Sequence, residues 1–145
     1  MPNDALLRRA IDIATEAHRG QSSKTGAPFI DHVHRVAAMV EGEDATLVAW
    51  LHDVVEKGPG WTFKRLADEG FPPSVVEAVD AMTKRDGEDY FVFVRRSIRN
   101  GLARSVKRAD LTDNLLQMRQ IGGDASKFTE GLRILDEDYP APGEP

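Results

Sequence analysis

The chain has 145 residues, 41% of them hydrophobic, and a formal net charge of -5, which predicts one compact domain with a sizeable core. The acidic balance argues against broad electrostatic capture of a nucleic acid polymer or an anionic membrane, and leaves only a small, focused phosphate site. The chain has no cysteine, which excludes disulfides, thiolate metal ligands and cysteine nucleophiles, so a metal would need His, Asp or Glu.

Glycines and prolines divide the chain into short segments, and in nearly every segment the apolar residues lie three and four apart, as in amphipathic helices. The first helix is predicted to begin near Asp4 and to stop at Gly20. The loop GQSSKTGAP follows it, and a second helix is predicted from about Ile30 to Gly42.

A third helix is predicted from Asp44 to Lys57, with Gly58 at its C′ position. Thr62 is expected to cap a short helix that ends at Gly70. The remaining helices are predicted near residues 73–83, 88–99, 102–119 and 125–136.

These elements predict an all-α bundle, since no repeat, low-complexity tract or alternating strand pattern is present. We expect one domain over residues 1–138 and a disordered tail, YPAPGEP, over residues 139–145. No stretch approaches the roughly 20 apolar residues of a membrane span, and the N-terminus lacks a basic segment followed by an apolar run. A cytoplasmic location without a membrane partner is therefore expected.

The stretch AWLHDVVEKG places three ionisable side chains in an otherwise apolar helix. His52, Asp53 and Glu56 fall on one helical face, where burial of unpaired charge is costly. A metal ion would compensate these charges. The alternative is a buried histidine that hydrogen-bonds a carbonyl beside an aspartate satisfied by N–H groups.

A second histidine on another helix is needed if the site binds a metal. His32 in PFIDHVHRVA follows a turn at the start of the second helix, and His34 points about 200° further round. His32 is therefore preferred, with His18 and His34 as the alternatives. His18 is expected to pack or hydrogen-bond at the end of the first helix.

An aspartate in the middle of a late helix is the remaining metal-ligand candidate. Aspartate has low helix propensity, so the position of Asp110 in VKRADLTDN, in the middle of a helix, needs an explanation. Asp110 either binds a metal or forms an ion pair with Lys107 or Arg108. His, His-Asp and Asp together form a mixed imidazole and carboxylate set that suits divalent ions such as Mn²⁺ or Fe²⁺.

The ordered motifs AHRGQ, KTGAPFIDHVHRVA, VAWLHDVVEKG, FPPSVVEAVDAMTKR and VKRADLTDNL resemble those of the HD-domain hydrolases of guanosine tetraphosphate. That family includes the hydrolase half of the RelA/SpoT enzymes and their small stand-alone relatives. The resemblance extends to about residue 120 and implies an all-helical HD fold.

The resemblance also implies roles for particular residues. One divalent ion, usually manganese, would be bound by His32, His52, Asp53 and Asp110. Glu56 matches the acidic residue that orients or activates the attacking water, and Lys24 and Asn114 match positions that line the nucleotide pocket. Hydrolysis of a phosphate ester also needs cations, and Lys24, Lys84 or Lys107 can supply them; the alternative for each lysine is a solvated surface position.

Three residues depart from the family pattern. Lys57 stands where the tetraphosphate hydrolases usually have an aspartate after the glutamate. Ser23 stands where they commonly have an arginine against the guanine base, and Asp113 where the larger enzymes have a histidine.

The leading hypothesis is a metal-dependent phosphohydrolase acting on a nucleotide, with guanosine tetraphosphate, cleaved at its 3′-pyrophosphate, first among the substrates. The alternative is a nucleotide-binding or sensing module that keeps the metal but has little turnover. A third hypothesis, a purely structural helical protein, requires four potential ligands to align by accident.

Overall fold

The computed structural model describes residues 4–140, and nine helices account for the regular structure of this range, apart from one isolated β-bridge between Ser22 and Pro28. The predicted all-α fold is confirmed. The helices are α1 (Asp4–Ala17), α2 (Phe29–Met39), α3 (Glu43–Leu51), α4 (Val54–Lys57), α5 (Phe63–Asp68), α6 (Pro73–Ala81), α7 (Tyr90–Arg99), α8 (Gly101–Ile121) and α9 (Ser126–Asp138).

Helices α3 and α8 form the centre of the bundle. Six of the nine residues of α3 are buried, and the helix packs against α1, α2, α6 and α8. The long helix α8 also contacts α7 and α9, which enclose a smaller apolar cluster of Val94, Ile98, Ile134 and Leu135. The last five residues of α3, from Leu47 to Leu51, are all buried, so His52, which follows them directly, also lies inside the protein.

The single helix predicted from Asp44 to Lys57 is wrong, because the chain breaks at His52 and Asp53 into α3 and α4. Asp53 adopts φ -109° and ψ 2°, outside the helical region. The His52 Nδ1 atom lies 2.6 Å from the carbonyl oxygen of Ala49, which would accept the Asp53 N–H in a continuous helix. The histidine side chain thus competes with the helical backbone at the break.

Gly58 ends α4, but not in the left-handed conformation expected of a C′ glycine, since its φ is -93°. The space around it gives another reason for glycine. A Cβ atom at this position would lie 2.6 Å from the Val54 carbonyl oxygen and 2.7 Å from the Ala17 Cβ atom. Gly58 therefore lets α4 approach the end of α1.

We predict that Gly58→Ala lowers the free energy of unfolding by about 1 to 3 kcal/mol, the usual cost of inserting a methyl group into a packed site. Urea denaturation measures the change, which should lower the midpoint without changing the slope. Gly101→Ala is the matched control, because nothing lies within 4 Å of its Cβ position at the start of α8. Equal losses in the two variants would contradict the close-approach explanation.

The other predicted boundaries agree with the structure to within a few residues. Thr62 caps α5 as expected, with its hydroxyl oxygen accepting from the Arg65 N–H. Of the predicted tail, Tyr139 stacks its ring 3.6 Å from the guanidinium carbon of Arg104, and residues 141–145 lie outside the described residues.

Candidate metal and phosphate site

Four side chains from three parts of the chain converge beside the break between α3 and α4. His32 comes from α2, His52 and Asp53 form the break itself, and Asp110 comes from the middle of α8. Each offers one ligand atom, and these atoms all lie within 4.8 Å of one another. We call these four residues the histidine–aspartate cluster.

His52 has a buried nitrogen atom without a suitable partner among the described residues. Its Nδ1–H donates to the Ala49 carbonyl, so the neutral ring carries a lone pair on Nε2. That buried Nε2 atom has no hydrogen bond within residues 4–140, although carboxylate oxygens of Asp53 and Asp110 lie 3.0 and 3.5 Å away. A lone pair facing two carboxylates requires a cation between them, either a proton or a metal ion.

His32 repeats this arrangement with a carboxylate in place of the carbonyl. Its Nδ1 atom lies 2.6 Å from the Asp113 carboxylate, which also accepts from the Arg35 Nε atom at 2.6 Å. Nε2 faces the Asp110 carboxylate at 3.1 Å. Metal-binding histidines usually donate their other N–H to a carbonyl or carboxylate, so both rings have the orientation that a metal needs.

Asp110 is the carboxylate that the two histidines share. Its Oδ1 atom also accepts from the Asn114 amide at 3.1 Å, and its Oδ2 atom lies 3.4 Å from the Lys107 ammonium. Burial by itself would raise the pKa of Asp110, but Lys107 and the two histidines outweigh burial and hold the pKa well below its usual value. The carboxylate is therefore ionised and ready to bind a cation.

When no metal is bound, protons on the two histidines balance the negative charge of the carboxylates in the cluster. Burial lowers the pKa of His52, but the charges of Asp53 and Asp110 outweigh it and raise the pKa well above its usual value. Burial likewise raises the pKa of Asp53, but the charge of His52 outweighs burial and lowers the pKa of Asp53 below its usual value. The cluster holds positive charge strongly, and two imidazoles with two carboxylates fit a first-row divalent ion.

Two of the alternatives raised by the sequence are present at the cluster, the Lys107–Asp110 ion pair at 3.4 Å and the hydrogen bond from His52 to a carbonyl, whereas the other two histidines and Arg108 lie outside it. The buried His18 directs Nδ1 to the Gln21 side chain at 2.9 Å, at the end of α1 as expected. His34 is exposed and stacks on Trp50 with ring centroids 5.7 Å apart. Arg108 pairs with Asp136 at 2.7 Å.

A cavity of about 330 Å³ opens from the cluster, and we call it the lysine-lined pocket. Its lining includes the other residues predicted at the site: Glu56, Lys24, Asn114 and Lys107. Five lysines and three acidic residues face this cavity, which gives a local excess of positive charge in a chain of net charge -5. The pocket therefore favours an anionic ligand beside the cluster.

Two pocket residues have pKa values displaced towards neutrality. Burial and the nearby charge of Asp53 raise the pKa of Glu56, which makes its carboxylate a stronger base. Partial burial and the neighbouring Lys127 lower the pKa of Lys24. Binding of an anion would relieve the repulsion between the lysines.

Several residues of the site were not identified from the sequence. Asp113 was noted only as a departure from the family, yet it orients His32 and binds Arg35; its position three residues after Asp110, on the same helical face, was the available signal. Helices α7 and α9 also supply Tyr90, Phe93, Lys127 and Phe128 to the lysine-lined pocket. No local motif marks these four residues, because only the tertiary fold brings them to the site.

A second, larger cavity of about 870 Å³ lies where the end of α2 meets α8 and α9, and its lining includes Met39, Arg104 and Tyr139. It shares no described lining residue with the lysine-lined pocket. Converging ionisable groups, and not cavity size, therefore mark the lysine-lined pocket as the candidate functional site. Among the described helices, none has the length and hydropathy required to cross a membrane.

The chain is similar to curated proteins of guanosine tetraphosphate metabolism, although no protein-family model matches it. A probable GTP pyrophosphokinase of Mycobacterium leprae is 30% identical over 148 aligned residues, covering 92% of this chain and 19% of the relative. The bifunctional (p)ppGpp synthase/hydrolase SpoT of Escherichia coli is 29% identical, covering 84% of this chain and 19% of SpoT. The chain thus spans about a fifth of the length of these relatives.

A shorter match has higher identity, and a solved structure shares the fold. A guanosine-3′,5′-bis(diphosphate) 3′-pyrophosphohydrolase of Haemophilus influenzae is 40% identical over 78 residues, covering 51% of this chain and 11% of that protein. The solved structure is described as a metazoan ortholog of SpoT that hydrolyzes ppGpp. It matches with a TM-score of 0.73 and 24% identity, over 89% of this chain and 86% of the other.

Proposed function

We propose that this chain, which is homologous to the RelA/SpoT proteins and has the fold of a SpoT ortholog, is a metal-dependent phosphohydrolase that acts on a phosphorylated nucleotide. Guanosine 3′,5′-bis(diphosphate), with loss of the 3′-pyrophosphate, is the substrate we place first. The observation that carries the proposal is the histidine–aspartate cluster beside a pocket with excess positive charge.

The metal in this proposal is held by His32, His52, Asp53 and Asp110, and manganese is the ion we expect. A divalent ion supplies Lewis-acid chemistry: it lowers the pKa of water and neutralises phosphate charge. Asp113 and the Ala49 carbonyl fix the two imidazole rings. Both imidazole rings are therefore already oriented before the metal binds.

The protein's own groups perform the proton transfer and hold the phosphates. Glu56 accepts the proton of the attacking water as the oxygen bonds to phosphorus, and the ester bond to the ribose 3′ oxygen breaks. That proton then neutralises the departing oxygen. Lys24 and Lys107 face the pocket as phosphate-binding cations, while Asn114 holds Asp110 in place through a hydrogen bond of 3.1 Å.

A nucleotide screen with the manganese-loaded protein tests the proposal. We expect conversion of guanosine 3′,5′-bis(diphosphate) to GDP and pyrophosphate, and loss of that conversion on chelation of the metal. Cleavage of none of the tested nucleotides or simple phosphodiesters would contradict the proposed enzyme.

A nucleotide-binding sensor with little turnover is the second candidate, and Lys57 is the observation that favours it. Lys57 lines the pocket at the position where the family usually has an acidic residue. A protein that binds metal and nucleotide but cleaves neither nucleotide nor phosphodiester would support the sensor. A cytoplasmic location is proposed for either function.

Lys24→Ala should raise KM for the nucleotide roughly tenfold, because a charge-assisted contact to phosphate is lost. Its ammonium lies 5.4 Å from the ring centroid of Phe128, and no ion pair with a carboxylate neutralises it within the described range. Steady-state kinetics and metal analysis are measured together, and the metal content should not change. Lys64→Ala, which removes an 84% exposed lysine of α5, is the control. An unchanged KM would assign Lys24 to the solvated surface.

A further inference from the structure

The lysines of the pocket are held mainly by aromatic rings. Lys57 lies 5.2 Å from the ring centroid of Phe29, Lys107 lies 4.1 Å from that of Phe93, and Lys127 lies 4.4 Å from that of Tyr90. An aromatic face positions an ammonium without cancelling its charge, whereas a carboxylate would neutralise it. Lys107 pairs with Asp110, but no such ion pair joins Lys57 or Lys127 to a carboxylate in the part of the chain that the structure describes.

The backbone of Lys57 is fixed more firmly than its exposed side chain suggests. Gln21 donates from Nε2 to the Lys57 carbonyl at 2.8 Å and to the Ala17 carbonyl at 3.1 Å. The next residue, Gly58, lies against Ala17. Both contacts tie the end of α4 to the end of α1, so the direction in which the lysine side chain leaves the backbone is set by the fold.

The Lys57 side chain lies at the boundary between two cavities. Lys57 and Phe29 line the lysine-lined pocket, and with Gln21 and Ser22 they also line an adjoining recess of about 390 Å³. The Phe29 ring centroid lies 5.3 Å from that of His32 and 5.2 Å from the Lys57 ammonium, so this ring neighbours both the cluster and the lysine. The shared residues Phe29 and Lys57 place the recess directly beside the pocket that opens from the cluster.

Electrostatic stabilisation of the C-terminus of α4 is a weak explanation for a lysine at position 57. The break at Asp53 leaves α4 with only four residues, and a single turn aligns few peptide dipoles at its C-terminus. A lysine here gains little from the helix, while it places a full positive charge at the mouth of an anion-binding pocket.

We propose that Lys57 determines specificity by binding the diphosphate group of the nucleotide that is not cleaved. This inference rests on the proposed function for the identity of the nucleotide. The reacting phosphate lies at the cluster, and the second diphosphate extends past Phe29 to the ammonium of Lys57. The lysine thus selects nucleotides that carry this second diphosphate.

Equilibrium binding tests this role separately from turnover. Lys57 variants are prepared in a Glu56→Gln background, loaded with manganese, and titrated with guanosine 3′,5′-bis(diphosphate) and with GDP, which keeps only the diphosphate that is not cleaved. Lys57→Ala should weaken the binding of both nucleotides roughly 5- to 30-fold, the effect expected for a lost charge-assisted contact. Lys57→Arg should restore most of the affinity, Lys57→Asp should weaken it further, and Lys64→Ala should leave it unchanged.

The results separate this inference from the proposed function. Unchanged nucleotide affinity in Lys57→Ala, or weakened binding of guanosine 3′,5′-bis(diphosphate) with unaffected GDP binding, would overturn the specificity role. A clear rise in kcat for Lys57→Asp in the otherwise wild-type protein, with the same affinity, would instead show that Lys57 replaces a catalytic carboxylate. A wild-type protein that binds but does not hydrolyse the nucleotide contradicts the proposed function, and the predicted loss of affinity in Lys57→Ala would still support the role of Lys57.

Discussion

Asp53→Ala is expected to remove the bound divalent ion and to reduce nucleotide hydrolysis by at least about 10³-fold, as follows from losing several kcal/mol of Lewis-acid stabilisation. Asp53 supplies one of the four converging ligand atoms, and its carboxylate oxygen lies 3.0 Å from the His52 Nε2 atom. Metal analysis of the purified protein gives the first measurement, and turnover with added manganese gives the second.

The matched control is His34→Ala, which removes an exposed histidine two residues from His32 in the same helix. It should retain both metal and activity. Asp53→Asn preserves the shape of the side chain while removing its charge, so a folded Asn variant separates loss of the ligand from loss of the fold. Full metal content in both Asp53 variants would exclude Asp53 as a ligand.

Glu56→Ala is expected to lower kcat by roughly 10²- to 10⁴-fold, the usual contribution of a general base. Metal content and nucleotide affinity should change little, because the proton transfer takes place only in the transition state. Glu56 lines the pocket, and its raised pKa suits a base that works near neutral pH. Single-turnover kinetics with a saturating nucleotide provides the measurement.

Glu77→Ala in α6 is the control for loss of an exposed carboxylate, and it should leave kcat unchanged. Glu56→Gln keeps nearly the same volume without the basic oxygen, and it should lower kcat as far as Glu56→Ala does. If Glu56→Gln is fully active, Glu56 positions another group and does not accept the proton.

The helices and the cluster were largely predictable because both depend on local sequence patterns. Apolar spacing defined the segments, and the His-Asp pair at the end of α3 together with Asp110 in α8 stood out as ionisable residues in apolar or helical surroundings. The family resemblance, which the comparisons confirm, implied that His32 joins them. The specific metal-binding and catalytic roles remain predictions.

The break at His52 and the pocket wall were not predictable in this way. The break depends on where one imidazole points, and helical periodicity carries no information about a side-chain hydrogen bond to the backbone. Tyr90 and Lys127 reach the pocket through the packing of α7 and α9 against α8. Such long-range placement depends on the whole fold and leaves no trace in short motifs.

The positions of the proposed metal ligands along the chain would make metal affinity part of folding stability. His32 and Asp110 are 78 residues apart, so the unfolded chain cannot bring the ligand atoms together without a large loss of conformational entropy. A cation held by the native state alone acts as a reversible cross-link between α2, α8 and the break after α3. By mass action it adds about 4 kcal/mol of stability when its free concentration is about a thousand times its dissociation constant. Binding of the proposed metal ion would thereby link the folded fraction of this protein to the supply of that ion.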